Sequence, residues 1–138
     1  MILRESSGFL FFDMPPLKYG PDGLIPAIVQ DATSKRVLMM AWMNEPSLQM
    51  TLKTGRMHYW SRSRKQLWSK GETSGHTQRV VRFAIDCDAD TLLFEVEQTG
   101  GACHTGYASC FFQTFTPEGN AFAIDEAKVF DPESKYAR

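Results

Sequence analysis

The residues with the clearest potential for chemistry are three aspartates around a cysteine, in the run Asp86-Cys87-Asp88-Ala89-Asp90. In an extended chain alternate residues share a face, so the three carboxylates would project together and Cys87 would point the other way. Three such charges repel one another unless they share a cation, and a hard divalent ion prefers oxygen ligands. The alternative is a solvated strand edge, where acidic residues deter edge pairing. The residues alone leave both interpretations open.

Cysteines are the second candidate group, since Cys87, Cys103 and Cys110 fall within 24 residues. Three are too few for a disulfide framework, and one alone is usually a small core residue, but three together favour a metal. Their C-x15-C-x6-C spacing lacks the paired knuckles of a zinc finger. Three protein ligands leave a fourth position for water, as in a catalytic zinc site, where the water pKa falls to near neutrality. His104 could instead close the site as a structural ligand, although it would have to fold back sharply beside Cys103.

A third candidate is the segment 58–76, in which arginines are flanked by serines and glycines follow. Guanidinium groups, hydroxyls and exposed backbone amides are what proteins use to bind phosphate, and a tryptophan can stack on a base. The alternatives are a charged hairpin with core tryptophans, or a contact to an RNA backbone. A net charge of −1 weighs against extended nucleic acid and favours a small phosphorylated ligand. The candidate ligand-binding residues are Trp60, Ser61, Arg62, Ser63, Arg64, Lys70, Thr73 and Ser74.

Local patterns predict the elements that must position these groups. Residues 24–30 and 36–42 are typical of a strand pair, although Pro26 suits only an edge or a strand start. Between the N-cap Asn44 and the exit Gly55 the pattern predicts a short helix. The chain beyond is rich in strand patterns, with its clearest alternation through Val81, Phe83 and Ile85. The candidate strands are residues 57–60, 66–69, 78–87, 92–98 and 109–115.

The bulk composition fits one domain of mainly β or α+β class. The chain has 138 residues, of which 43% are hydrophobic and 22% charged, enough to build a core. Its apolar stretch at residues 9–12 is far shorter than the roughly 20 residues of a membrane helix, and no signal-peptide pattern follows. We therefore expect a soluble, cytoplasmic protein. Residues 1–22 and 116–138 are the parts that the patterns define least.

Taken together, six segments in this order resemble the phosphoribosyl-AMP cyclohydrolase family. They are residues 23–30 (GLIPAIVQ), 40–44 (MAWMN), 59–64 (YWSRSR), 67–76 (LWSKGETSGH), 86–90 (DCDAD) and 101–110 (GACHTGYASC). The resemblance implies a β-rich, barrel-like or sandwich protomer with one or two short helices, in an intertwined homodimer. It also implies magnesium at Asp86, Asp88 and Asp90. Zinc would be held by Cys87 of one protomer with Cys103 and Cys110 of the other.

The resemblance further implies an enzyme of histidine biosynthesis. Members of the family can be fused to a phosphoribosyl-ATP pyrophosphohydrolase domain, and because this chain is too short to hold one we expect a single activity. Zinc-activated water would open the adenine ring of 1-(5-phosphoribosyl)-AMP at the N1–C6 bond, giving the formimino-carboxamide ribonucleotide ProFAR. His104 is the first candidate for moving the proton, His76 the second and His58 the third. Two other classes compete with this hypothesis. One is a zinc-stabilised RNA-binding module, and the other is a structural zinc protein whose site His104 closes.

Overall fold

The computed structural model describes residues 4–5, 8–9 and 14–136, and these form ten strands and two helices. The elements are β1 (Arg4–Glu5), β2 (Gly8–Phe9), β3 (Ile25–Asp31), β4 (Val37–Met43), α1 (Glu45–Thr54), β5 (His58–Ser61), β6 (Gln66–Ser69), β7 (Gln78–Ile85), β8 (Leu92–Gln98), β9 (Gln113–Thr116), β10 (Ala121–Ile124) and α2 (Pro132–Tyr136). Strands dominate, so the predicted α+β class with short helices is confirmed. Of the apolar stretch at 9–12, residues 10–12 lie outside the described residues.

A four-stranded sheet in the order β4-β3-β8-β7 forms the centre of the fold. The strand β3 pairs with β4 in antiparallel fashion and with β8 in parallel, while β8 and β7 are antiparallel. The core residues Val29, Phe94 and Val96 are fully buried along its central strands. Within the described residues β4 has no further strand ladder and β7 has only an isolated bridge between Arg79 and Arg56, so the expectation of a barrel is corrected to a sheet that does not close. The hairpin β5–β6 and α1 pack beside β4 instead of closing the sheet.

The first strand pair forms as predicted, with a small shift in bounds. Pro26 pairs with Trp42 of the edge strand β4, and the pairing with β8 begins one residue later, at Ala27. A proline cannot donate to a ladder, so this position at the start of the strand avoids a lost bond with β8. Pro26 therefore fits at the start of β3 without losing a hydrogen bond to β8, although β3 is a central strand of the sheet.

The helix α1 also forms between the predicted caps. The side chain of Asn44 accepts a hydrogen bond of 3.0 Å from the amide of Ser47, and the Ser47 hydroxyl accepts one of 2.9 Å from the amide of Asn44. This reciprocal capping satisfies donors that the first turn leaves free. Gly55 ends the helix in a left-handed conformation, with φ of 76°. The face that carries Leu48 and Leu52 is buried in the core.

Strand β7 departs from the predicted alternation because it contains a bulge. Val81 is an extra residue between Val80, which pairs with Val96, and Arg82, which pairs with Glu95. A bulge reverses which side chains face the core, so Val80 is buried while Val81 is 41% exposed. The predicted shared face of Val81 with Phe83 and Ile85 is therefore wrong.

Two predicted strands have corrected bounds, and one strand was not predicted. The strand β7 ends at Ile85 and not at residue 87, because the chain turns at Asp86. Of the predicted strand 109–115 only the last part is extended, in β9, since residues 109–112 follow an irregular loop. The strand β10 is an element that the patterns did not predict. The predicted strands 66–69 and 92–98 have the bounds of β6 and β8. None of the helices described is long and apolar enough to cross a membrane.

Candidate active site

The acidic run after β7 folds into a tight turn instead of an extended strand. The carboxylate of Asp86 accepts hydrogen bonds from the amides of Asp90 (3.0 Å) and Thr91 (3.3 Å). The Ala89 amide donates to the Asp86 carbonyl oxygen, and Ala89 is left-handed, with φ of 61°. The turn draws one ligand atom each from Asp86, Asp88 and Asp90 within 4.8 Å of the others. The expectation of an extended arrangement is therefore corrected, while the gathering of three carboxylates is confirmed.

The electrostatics of this turn suit a hard cation. Desolvation raises the pKa of Asp86, but the hydrogen bonds from Asp90, Thr91 and Ala89 outweigh it and hold the pKa below 3.8. The Asp86 carboxylate is therefore ionised at neutral pH, and all three aspartates are exposed. Oxygen donors gathered in this way match the ligand preference of a divalent ion such as magnesium. The three carboxylates therefore suit magnesium as ligands.

A pair of cysteine thiols lies at the other end of the sheet, in the loop after β8. Cys103 is buried, and its sulfur lies 2.8 Å from the Thr105 hydroxyl. The Cys110 amide donates to the Leu38 carbonyl oxygen at 2.7 Å, which ties the loop to β4. Burial, and then the adjacent Cys103 sulfur, raises the pKa of Cys110 to about 11. Two neighbouring thiolates therefore disfavour each other without a cation, and soft sulfur donors suit zinc.

Lys70 joins this thiol pair as a neighbour that the sequence did not predict. Its ammonium group donates a hydrogen bond of 2.7 Å to the carbonyl oxygen of Ala102, next to Cys103. Burial lowers the pKa of Lys70, and the charges of Cys110 and Cys103 act in the opposite direction. The cation therefore lies within the field of both sulfurs. The phosphate-binding role predicted for Lys70 stays a prediction.

The third cysteine, Cys87, lies far from the pair within one chain. Cys87 follows β7 at the end of the sheet where Ile85 pairs with Leu92, whereas Cys103 follows β8 at the end where Gln78 pairs with Gln98. The strand β8 has seven residues, so its two ends lie about 20 Å apart at the usual rise per residue. Among the described residues, the acidic trio is the one group of three metal-ligating side chains that converges. One chain therefore brings together two of the three predicted thiol ligands.

The three histidines have different surroundings. His76 is buried, and its Nδ1 lies 3.1 Å from the Gly101 carbonyl oxygen in the cysteine loop. Its ring is nearly perpendicular to that of Phe130, with centroids 4.5 Å apart. His104 is exposed directly after Cys103. The Nδ1 of His58 lies 2.8 Å from the carbonyl oxygen of Arg56, outside this cluster. The structure thus brings His76 and His104 to the cysteine loop.

A C-terminal segment, residues 126–130, packs on the cysteine loop, and no sequence pattern indicated this contact. The amide of Val129 donates to the Gly106 carbonyl oxygen at 2.8 Å. Any side chain at Gly106 would meet this segment, because a Cβ there would lie 2.9 Å from the Phe130 carbonyl oxygen. Glu126 forms a bidentate ion pair with Arg36, the residue before β4. The segment 126–130 therefore packs on the cysteine loop and holds it in place.

The serine- and arginine-rich residues form the turn of the β5–β6 hairpin. The Ser61 hydroxyl accepts a hydrogen bond of 3.1 Å from the Arg64 amide, while Ser63 and Arg64 are exposed. The guanidinium of Arg62 lies over the ring of Trp42, 4.9 Å from its centroid. Trp60 is half-buried, so it is not a core tryptophan. The turn therefore presents donors to solvent, as a phosphate-binding role requires.

The loop after β6 connects this hairpin to the buried histidine. Thr73 is exposed, and Ser74 is half-buried, with its hydroxyl accepting a hydrogen bond of 3.2 Å from the His76 amide. Gly71 has φ of 88° and a Cβ there would lie 2.7 Å from the backbone of His76, so only glycine fits. The predicted roles of Thr73 and Ser74 toward a ligand are untested by this geometry.

Comparison with known proteins identifies the chain as a hydrolase, and its family follows from the matches. Residues 39–112 match the model of the phosphoribosyl-AMP cyclohydrolase family. The phosphoribosyl-AMP cyclohydrolase of Salinibacter ruber is 60% identical over 115 residues, which cover 83% of this chain and 89% of that protein. The protein of the same name from Methanoregula boonei is 54% identical over 125 residues, covering 91% and 98%. The chain therefore belongs to the phosphoribosyl-AMP cyclohydrolase family, and the resemblance drawn from its sequence is confirmed.

Proposed function

We propose that this chain opens the adenine ring of 1-(5-phosphoribosyl)-AMP by hydrolysis and yields ProFAR in histidine biosynthesis. The observation that carries the proposal is the adjacent pair of thiols at Cys103 and Cys110, inside the region that matches the family. The relatives' shared name gives the substrate class. The exposed turn at residues 62–64 offers donors for the phosphates of such a substrate.

The reaction adds one water across the N1–C6 bond. The ribosyl group on N1 makes the ring electron-poor at C6, so an oxygen nucleophile adds at that carbon. The N1–C6 bond then breaks, the added oxygen becomes the carboxamide oxygen, and N1 takes up a proton. The protein must therefore activate a water, move a proton and hold the phosphates.

We assign zinc to Cys103 and Cys110 together with the partner subunit's Cys87. Zinc bound there would lower the pKa of a coordinated water to near neutrality. In this chain the Thr105 hydroxyl contacts the Cys103 sulfur and orients it. The Lys70 ammonium group donates a hydrogen bond to the carbonyl oxygen of Ala102, the residue before Cys103. Residues that orient a ligand in this way tune its affinity for metal. The chain's own groups thus hold the thiols of Cys103 and Cys110 side by side, and bound zinc would favour their deprotonation.

We assign magnesium to Asp86, Asp88 and Asp90. The tight turn gathers their carboxylates, and the backbone amides of Asp90 and Thr91 fix that of Asp86. Cys87 lies inside the same turn. A partner subunit that places its Cys87 beside the thiol pair therefore places these carboxylates there too. They would then help to position a substrate phosphate.

The remaining roles fall on histidines and donors near the two loops. His104 is exposed directly after Cys103, so it is our first choice for transferring the proton to N1. His76 is buried against Gly101, which suits a second proton carrier or a positioning residue for the loop. Base stacking is assigned to Trp60. Phosphate binding is assigned to Ser61, Arg62, Ser63, Arg64, Lys70, Thr73 and Ser74.

A homodimer follows from the separation of the thiols. Cys87 and Cys103 lie at opposite ends of the sheet, so a three-thiol site needs the Cys87 of a second copy. We further propose that residues 1–138 make up one domain. The cytoplasmic location, the absence of RNA binding and the independence from membranes stay predictions.

Ring opening of phosphoribosyl-AMP, followed by ultraviolet absorbance, tests the proposal. The protein is assayed as purified, after removal of zinc by a chelator, and after zinc is added back. We expect turnover that disappears with zinc and returns with it. Folded protein without turnover under any of these conditions would overturn the proposal. Salt-sensitive binding of polynucleotides would then favour the RNA-binding module, and unfolding on chelation would favour the structural zinc protein.

A further inference from the structure

The hairpin β9–β10 is amphipathic. Phe122 lies directly opposite Phe115 in the strand register, and Ile124 lies opposite Gln113. Alternate residues share a face, so one face carries Phe115, Phe122 and Ile124. The other face carries small and polar side chains, those of Thr114, Thr116, Ala121 and Ala123.

The apolar face is not covered by the rest of the described chain. Phe115, Phe122 and Ile124 are 45%, 69% and 51% exposed, and the two rings pack on each other with centroids 5.3 Å apart. The strands β9 and β10 make their contacts mainly with each other. A two-stranded hairpin is at best marginally stable in water on its own, so this face requires a partner surface.

The position of the hairpin in the chain indicates what that partner is. The strand β9 begins three residues after Cys110, and Phe111, between them, is 59% exposed. Cys87 of the same chain lies at the far end of the sheet. A second copy must therefore approach the thiol pair at the base of this hairpin, an argument that rests on the proposed zinc site. The apolar face of the hairpin begins next to the place where the second copy would contact the thiol pair.

We propose that the apolar face of β9–β10 packs against a second copy of this chain and forms an arm of the dimer. In a twofold dimer each copy extends its arm onto the other, so the contact occurs twice. Residues 113–124 lie outside the region that matches the family model. The family model therefore assigns no role to the arm.

Two aspartate substitutions at adjacent positions test the arm. Phe122→Asp places a charge on the apolar face, and Ala123→Asp places the same charge on the opposite face. Sedimentation over a dilution series of the zinc-loaded protein gives the dimer dissociation constant. We expect Phe122→Asp to raise that constant by on the order of 100-fold and Ala123→Asp to change it by less than about threefold. Circular dichroism and a thermal melt verify that each variant folds.

A photo-crosslinking amino acid at position 122 provides a second measurement. We expect a covalent product of twice the chain mass from the purified wild-type background. Crosslinks confined to one chain, or an unchanged dissociation constant for Phe122→Asp, would overturn the arm. Failure of the proposed function appears differently, as a dimeric wild-type protein without turnover. An active protein whose Phe122→Asp variant dimerises as tightly as wild type would refute the arm alone.

Discussion

The ammonium group of Lys70 lies 2.7 Å from the carbonyl oxygen of Ala102, so a lysine of the β6 loop holds the residue that precedes Cys103. The same cation lies in the field of the Cys103 and Cys110 sulfurs. It therefore fixes the loop and offsets part of the charge that two thiolates would carry. This contact connects the segment predicted to bind phosphate with the segment predicted to bind zinc.

Replacing Lys70 by methionine should weaken zinc binding by about tenfold, as expected for loss of a group that orients a metal ligand. Competition with a chromophoric chelator measures the zinc dissociation constant. Lys70→Arg retains the charge and should keep most of the affinity. A raised KM with unchanged zinc affinity in Lys70→Met would show that Lys70 serves the phosphate alone.

Mixing two inactive variants tests whether the thiol site is shared. Cys87→Ala and Cys110→Ala should each lose zinc and activity in isolation. After random exchange of subunits half of the dimers are mixed, and each mixed dimer has one intact site of two, so about a quarter of wild-type activity should return. Mixing Cys103→Ala with Cys110→Ala is the control, because both changes affect the same half of the site. Recovery in the control, or none in the first mixture, would contradict the shared site.

The two metal sites should respond separately to substitution. Cys103→Ala removes a thiol ligand and should abolish bound zinc and turnover together. Asp88→Asn keeps the shape of the acidic turn but removes a charge, so it should raise the magnesium concentration needed for half-maximal activity while zinc content stays near wild type. Metal analysis and magnesium titration of activity measure these outcomes. Loss of zinc from Asp88→Asn would show that the two sites are not separate.

Gly100 is required by the ring of His76. A Cβ at position 100 would lie 2.6 Å from Cδ2 of His76, and the backbone there has φ of 70°. Gly100→Ala should therefore cost the left-handed strain of about 1–2 kcal/mol and a further overpacking term of about 1–3 kcal/mol. Gly23→Ala is the matched control, since φ is 79° and nothing lies within 4 Å of its Cβ. Urea denaturation gives both free energies of unfolding, and equal losses would refute the contact.

Acid stability should depend on Glu95. This carboxylate is 11% exposed and pairs with Lys35 at 2.8 Å and Arg82 at 3.0 Å. The hydrogen bond from Lys35, followed by that from Arg82, lowers the pKa of Glu95 from 4.5. A carboxyl with a lowered pKa contributes stability above its unfolded pKa and loses it as the pH falls through its folded pKa. Glu95→Gln should therefore be less stable than wild type at pH 7, with a difference that shrinks below pH 4.5.

Urea denaturation of wild type and of Glu95→Gln, from pH 7 to below pH 4.5, gives the free energies of unfolding that test this prediction. Glu97→Gln is the control, because the ion pair of Glu97 with Arg79 is more than half exposed on both sides. Exposed pairs contribute little, so its stability should follow that of wild type at each pH. A constant difference between wild type and Glu95→Gln would contradict the assigned ion pairs.

Features fixed by local chemistry were predictable from the sequence. The caps Asn44 and Gly55 predicted α1, because each satisfies backbone groups within a few residues. The alternation of apolar residues predicted β8, where Leu92, Phe94 and Val96 are fully buried. Clustered aspartates likewise predicted the acidic group, since the turn that gathers them is formed by its own backbone and side chains.

Features set by distant contacts were not predictable. The bulge residue Val81 is the second of two consecutive valines. Either valine suits a buried position, so only the pairing with β8 decides which of them is buried. The separation of Cys87 from Cys103 depends on β7 and β8 running in opposite directions. A signal for the missed strand β10 did exist, because Pro117, Gly119 and Asn120 are turn residues between two short runs.

The match to the family model ends at residue 112, but the contacts that hold the cysteine loop extend to residue 130. Glu126 is anchored to β4, and residues 129 and 130 hold the loop on which the thiols lie. Proteolytic trimming after residue 125 would remove no thiol, aspartate or histidine of the site, yet it would release the loop that orders them. Residues 126–130 thus stabilise the cysteine loop although they lie far from it in the sequence. Catalytic half-life under limited proteolysis would then follow the integrity of this segment rather than that of the sheet.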